Sequence, residues 1–251
     1  MRKILMGAAA ALAVAAPGAA LADSAEVGAH IGNIDAESGG DLDYWGLDGA
    51  YSHDFASGWT LQLDGTHESL DAGGGDLGTS YGAVNLGMRS GGHAFYGFVG
   101  LSDIVALSFT NIGVGGQLYL GNVTLNGSVG YAWGDAGGDI EVLNAHVDGT
   151  WFFTDNFGIM AEAGWAELDA SGGGDNEVET LGLGGVFRFT GSPVAINLNY
   201  RNVDTDSTEL DVWQIGFTYH IGTGSERERS QSGASWNGAE NLYRSTLYGI
   251  F

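Results

Sequence analysis

The chain has 251 residues, with 31 acidic and 8 basic side chains, no cysteine and a formal charge of -23. An acid excess of this size makes nucleic acid or an anionic lipid surface a poor partner. Without disulfides, a packed core or a closed sheet must hold the fold, and the length suits one domain.

Arg2 and Lys3 open a basic stretch, residues 4–16 are apolar, and Ala20-Leu21-Ala22 fits a small-x-small cleavage site. Residues 1–22 therefore read as a signal peptide for export through the Sec pathway, with Asp23 as the mature N-terminus. Without Arg2 and Lys3, 6 basic residues stand against the 31 acidic ones, a formal charge of -25. No later run reaches the roughly 20 apolar residues of a membrane helix.

From Ser24 to Ile221 apolar and polar residues alternate in bursts. In residues 59–67, Trp59, Leu61 and Leu63 share one face, and Thr60, Gln62, Asp64 and Thr66 share the other. A period of two marks an extended strand with one oily and one wet face. Twelve strands are expected, at about 24–34, 43–52, 58–68, 80–89, 93–102, 108–119, 123–133, 140–152, 157–167, 177–189, 194–203 and 209–221. The strand at 93–102 is apolar on both faces. Short connections (53–57, 90–92, 121–122, 154–156, 191–193) rotate with long acidic, glycine-rich ones (35–42, 71–79, 134–139, 168–176, 204–208). The pattern is an up-and-down meander. In lipid such a sheet must close, because an open edge leaves backbone groups without partners. The expected fold is all-β: a transmembrane antiparallel barrel of about 12 strands over 23–221, with short periplasmic turns and longer outer loops.

The oily face is aromatic at its two ends. Trp59, Trp151, Phe157, Phe187, Phe189, Phe217 and Tyr219 fall near the short turns, and Trp133, Trp165, Tyr200 and Trp213 near the long loops. Aliphatic positions such as Val123, Leu125 and Val129 lie between them. Two aromatic girdles around an aliphatic band fit a wall between two water–lipid interfaces. A soluble sandwich scatters its aromatics through the core instead.

Parity then places Asp48, Gln62, Asp64, Thr66, Glu68, Arg89, Asn126, His146, Asp148, Glu162, Arg188, Asn197, Asn199, Arg201 and His220 on the inner face. Small residues among them, such as Ser128, Gly130 and Ala132, leave room for a narrow wet lumen. Arg89, Arg188 and Arg201 facing Asp64, Glu68, Asp148 and Glu162 would set a transverse field. The bland alternative is mutual pairing that stiffens a closed barrel. Acids outnumber arginines on this face, so a lumen that conducts should prefer cations.

The long connections hold the carboxylate pairs Asp71 and Asp76, Asp135 and Asp139, and Asp169 and Asp175, spaced by glycine. They are weak Ca²⁺ candidates without the spacing of an EF-hand, and a solvated loop is the expectation. His67 and Ser69 near one rim raise a lipid hydrolase, but Glu68 between them faces the other way, and no catalytic residue is assigned. A structural or adhesive barrel is the other alternative. No cofactor or structural metal is implied.

Residues 213–221, WQIGFTYHI, resemble the C-terminal insertion signal of the porin-like superfamily of bacterial outer-membrane β-barrels, carried by Gly216, Tyr219 and Ile221. That resemblance implies a Gram-negative outer-membrane protein inserted by the barrel assembly machinery and seated in outer-membrane lipid. It further implies a passive channel for small hydrophilic solutes or ions, and it allows a homo-oligomer. The family signal normally ends the chain, whereas here residues 222–251 follow and are expected to form a C-terminal periplasmic tail. Ser225 to Gly233 read as a solvated linker. Residues 242–251 are apolar again, and an extra strand, a luminal plug and an unordered extension all remain open for them.

Overall fold

The computed structural model describes residues 23–37, 40–71, 76–135, 139–171 and 174–250. The expected signal peptide lies outside the described residues. Within them the strands are β1 (Asp23–Ala36), β2 (Asp41–Asp54), β3 (Trp59–Asp71), β4 (Asp76–Arg89), β5 (His93–Ile104), β6 (Leu107–Leu120), β7 (Val123–Asp135), β8 (Asp139–Thr154), β9 (Phe157–Ala170), β10 (Gly174–Arg188), β11 (Val194–Thr205) and β12 (Glu209–Ile221). Two helices follow, α1 (Glu226–Ser232) and α2 (Gly238–Ile250). Each strand pairs antiparallel with its neighbours in sequence. β1 closes the barrel on β12, from Ala25 opposite Ile221 to Ala36 opposite Leu210.

The alternation sets the two faces of the wall. In β3, Thr60, Gln62, Thr66, Glu68 and Leu70 are buried inside, while Trp59 and Leu63 are exposed outside. Ile31, Val114 and Leu181 are more than half exposed on the outer face, at 61%, 62% and 65%. A continuous aliphatic surface exposed to this degree fits lipid rather than water.

The strands run longer than their sequence pattern, because pairing continues into the acidic connections. Asp71 pairs with Asp76, Asp135 with Asp139, and Ala170 with Gly174. Beyond the lipid the backbone ladder still satisfies its own donors and acceptors, so nothing ends a hairpin at the membrane boundary. The β5–β6 connection is tight, and Val105 in it adopts φ 58°, a left-handed conformation that strains a β-branched side chain.

The stretch expected to be a solvated linker is helix α1. Ser225 caps it, its hydroxyl accepting from Glu228 N at 3.1 Å, and Glu228 Oε2 accepts from Gly224 N at 2.7 Å. This S-x-x-E spacing is a helix-start signal that the charged composition masked. Of the three fates open for the later residues, the structure shows the plug. Helix α2 stands inside the barrel against the inner faces of β4 to β11, with Leu242, Tyr243, Leu247 and Tyr248 buried.

The plug explains why β5 is apolar on both faces: Tyr96 and Phe98 line the lumen and belong to the core that α2 completes. The tips of their rings reach over Gly115 and Gly113. A Cβ at either glycine would sit 2.3 Å from the facing ring, so these positions exclude any side chain.

Candidate functional site

The site is the lumen, which changes character from the end where β1 begins and β12 finishes to the opposite end, where α2 finishes. At the first of these ends α1 docks through charge. Arg229 donates from Nε and a terminal nitrogen to Glu26 of β1 at 2.8 and 2.7 Å. Burial opposes the Arg229 charge, but Glu26 and Glu226 outweigh it and hold the guanidinium above its ordinary range. His220 of β12 sits between Glu26 and Glu226. Arg188 donates to Thr223 Oγ1 at 3.1 Å and to its carbonyl at 2.7 Å, fixing the chain as it turns inward.

Further in, inner-wall side chains replace secondary structure as partners of the segment between the helices. Arg89 donates to the carbonyls of Ser232 and Gly233, both at 2.7 Å. Gln62 grips Trp236 at both backbone groups, donating to its carbonyl at 2.6 Å and accepting from its N–H at 3.0 Å. Gln117 donates to the Ser235 carbonyl, and Asn237 donates to Asp148 at 2.8 Å. A non-helical segment buried in a barrel needs such partners for every polar backbone group.

Above this level Glu68 collects three donors. Arg244 reaches Oε1 at 3.1 Å, the Tyr243 hydroxyl donates to Oε2 at 3.0 Å, and His30 Nε2 lies 2.9 Å from Oε1. The Thr79 hydroxyl completes the chain by bonding Tyr243.

At the far end the inner wall turns apolar. Ile34, Leu70, Ile104, Phe109, Val142, Leu168, Val178, Val203 and Leu210 form a collar that shares one core with Leu247 and Tyr248 of α2. A collar of this kind excludes water around the helix.

Beside the plug lies a polar chamber of about 260 Å³, bordered by both helices and by strands all round the barrel except β5 and β6. It extends from Glu26 and His220 up to Asp64, Arg201 and Gln214. Seven carboxylates line it (Glu26, Asp48, Asp64, Asp148, Glu162, Glu226 and Glu240), against three arginines, Arg201, Arg229 and Arg244. Arg201 pairs with Glu162 at 2.7 Å, with His146 at 3.4 Å on the other oxygen.

The residues expected to line a pore thus all face inward and serve two tasks, with Gln62 and Asp148 serving both. Gln62, Glu68, Arg89, Asp148 and Arg188 hold the plug. Asp48, Asp64, Glu162, Asn197, Asn199 and Arg201 border the chamber, and His146 sits behind Glu162. Sequence parity overlooked Glu26 and His30, although Val27, Ala29 and Ile31 mark them as inward. It also overlooked Arg229 and Arg244 of the segment.

On the outer wall, Trp59, Trp133, Trp151, Phe157, Phe187, Phe189, Trp213 and Tyr219 are exposed. Trp165 and Tyr200 are half-buried: the Trp165 indole bonds Glu177, and the Tyr200 hydroxyl donates to Asp211 at 2.5 Å. Gly216 faces inward beneath Asn197, while Tyr219 and Ile221 face outward. The side chains of Asp76 and Asp135, and the loop glycines between the carboxylate pairs other than Gly174, lie outside the described residues. Among the described residues no three His, Cys, Asp or Glu side chains are grouped to hold a metal. His67 is exposed on the outer wall, whereas Glu68 is buried in the lumen, so the hydrolase trio does not converge.

Solved outer-membrane structures share this architecture. The β domain of the Bordetella autotransporter BrkA aligns with a TM-score of 0.55 at 13% identity, over 80% of this chain and 100% of that one. The translocator domain of the autotransporter NalP from Neisseria meningitidis aligns at 0.51 and 13%, over 87% and 94%. The KdgM porin in complex with disordered oligogalacturonate aligns at 0.51 and 10%, over 77% and 98%. No family model and no curated protein matches the sequence. Identities this low speak for the fold alone, and that fold is a bacterial outer-membrane β-barrel.

Proposed function

We propose that the protein is a porin-like channel for small hydrophilic solutes or ions, cations preferred, kept shut at rest by its own segment 222–250. The observation that carries this reading is the polar, acid-rich chamber running beside a plug fixed mainly by side-chain contacts. A barrel filled only for stability would be expected to fill that space with apolar side chains, since buried charge is costly to hold. The apolar collar supplies the closure. Export by the Sec pathway and insertion by the barrel assembly machinery belong to the same proposal, and the barrel itself performs no chemistry.

The collar also favours a second reading, a permanently closed structural or adhesive barrel. Planar-bilayer conductance under a KCl gradient separates the two. The whole chain should be silent or open rarely. A folded chain lacking residues 223–251 should give discrete steps with a cation-selective reversal potential. A folded, shortened barrel that stays silent would leave the structural reading standing.

A further inference from the structure

Where α1 meets β1 and β12, an imidazole stands at ion-pair distance from a carboxylate at each nitrogen. His220 Nδ1 lies 3.3 Å from Glu26 Oε2 of β1, and Nε2 lies 3.2 Å from Glu226 Oε2 of α1. A neutral imidazole has a single N–H, so it serves one carboxylate and turns a lone pair toward the other. The imidazolium serves both. Among the described residues, the charged groups facing this ring are Glu26 from β1 and Glu226 and Arg229 from α1. Arg229 is bidentate on Glu26 and stands 3.8 Å from Glu226. With a neutral ring two negative charges meet one positive. With a charged ring the cluster balances. Glu26 and Glu226 are 8% and 3% exposed, so an unbalanced charge here has little water to relieve it.

His30 repeats the arrangement higher in the lumen, 3.1 Å from Asp48 and 2.9 Å from Glu68. There, as at His220, an arginine already pairs with one carboxylate, but the other, Asp48, is partly exposed to the chamber where Glu226 is buried, so water relieves its charge. The contact that answers to a proton is therefore the one at α1.

We propose that His220 is a proton-operated latch between the barrel and its luminal segment. Protonated, it bridges β1 and α1 and seats the segment. Deprotonated, it drops one carboxylate contact and loosens α1. The proposal rests on the reading that segment 222–250 closes the lumen, and it names the signal that works the closure.

The chain has no cysteine, so one introduced thiol reports cleanly. Ser230 of α1 is buried against the chamber, and Ser230→Cys is nearly isosteric. Labelling by a water-soluble maleimide is measured on the whole folded chain in lipid vesicles, and normalised to the urea-unfolded chain at each pH. The normalised rate should rise about tenfold or more between about pH 5.5 and about pH 8.5, the span in which imidazole loses its proton. In Ser230→Cys/His220→Gln it should be the same at both pH values. His220→Asn serves if the glutamine variant fails to fold, as judged by heat-modifiable gel mobility. Equal rates at both pH values in the single variant overturn the latch, as does a rise that survives loss of His220. Labelling reads docking without reading conduction. A pH-dependent rate in a barrel silent even when shortened would sink the channel and spare the latch.

Discussion

Trp236 lies flat against Tyr96, with ring centroids 4.7 Å apart and planes 5° from parallel. Arg89 of β4 covers the Trp236 ring from 5.1 Å while bonding the two carbonyls at Ser232 and Gly233. One aromatic side chain thus ties the segment between the helices to two strands at once.

Trp236→Ala removes the stack, the cation–π contact and a side chain only 2% exposed. Loss of a buried tryptophan of this kind costs about 3–5 kcal/mol. Because the barrel ladder is untouched, the loss should fall on the plug. Limited proteolysis of the folded variant should cut within 222–250 while 23–221 stays protected.

Glu68 is 1% exposed and receives Arg244, Tyr243 and His30. Glu68→Gln leaves the buried Arg244 guanidinium with only the partly exposed Glu240, 3.1 Å away, as a carboxylate partner, so the loss should fall below the about 3–5 kcal/mol of a buried charge left alone. Adding Arg244→Met should recover a good part of it. Urea unfolding of the two single variants and the double variant checks the sign of the coupling.

A Cβ at Gly130 would lie 2.9 Å from Leu242 Cδ2 and 3.2 Å from the Phe98 ring. Gly130→Val should therefore push α2 off β7 without breaking strand pairing. If the plug closes the lumen, this variant should show step conductance where the parent is silent. Gly127→Val, on the outer face of the same strand, should leave conductance unchanged.

Val114, at the middle of β6, is 62% exposed on the outer wall. An arginine at a lipid-facing midplane position costs about 2–4 kcal/mol. Val114→Arg should fold less completely into lipid vesicles, and the penalty should shrink for the same change at Leu120, near the end of the strand. Equal effects at both positions would argue against a membrane around this wall.

The strands and their faces were legible because period two is a local property: Leu61, Gln62 and Leu63 declare their sides without reference to anything distant. The plug was not legible in the same way. Its signals are non-local, since Tyr96 and Phe98 are inward aromatics whose partner lies more than 130 residues later in the chain. The inward Ile104, Val142, Leu168 and Val178 look like extra oiliness at strand ends until Leu247 and Tyr248 are brought among them. Local signs existed in the tail, in the Ser225–Glu228 cap and in the Glu240–Arg244 pair one helical turn apart. A charged, serine-rich composition outweighed them. For the chamber, parity found Asp48, Asp64 and Arg201 but could not say that Gln62 and Arg89 hold protein.

The order of β12, α1 and α2 along the chain bears on assembly. β12 must zip to β1 to finish the wall, yet the helix that fills the interior is joined beyond β12. Either α2 is already among the sheet when the seam shuts, or it threads in lengthwise afterwards. In both cases the collar strands form before α2, which lies beyond them in the chain, can cover them. A nascent barrel therefore passes through a stage that is sticky on its inside as well as its outside, and the timing of tail capture becomes a step at which biogenesis can succeed or stall.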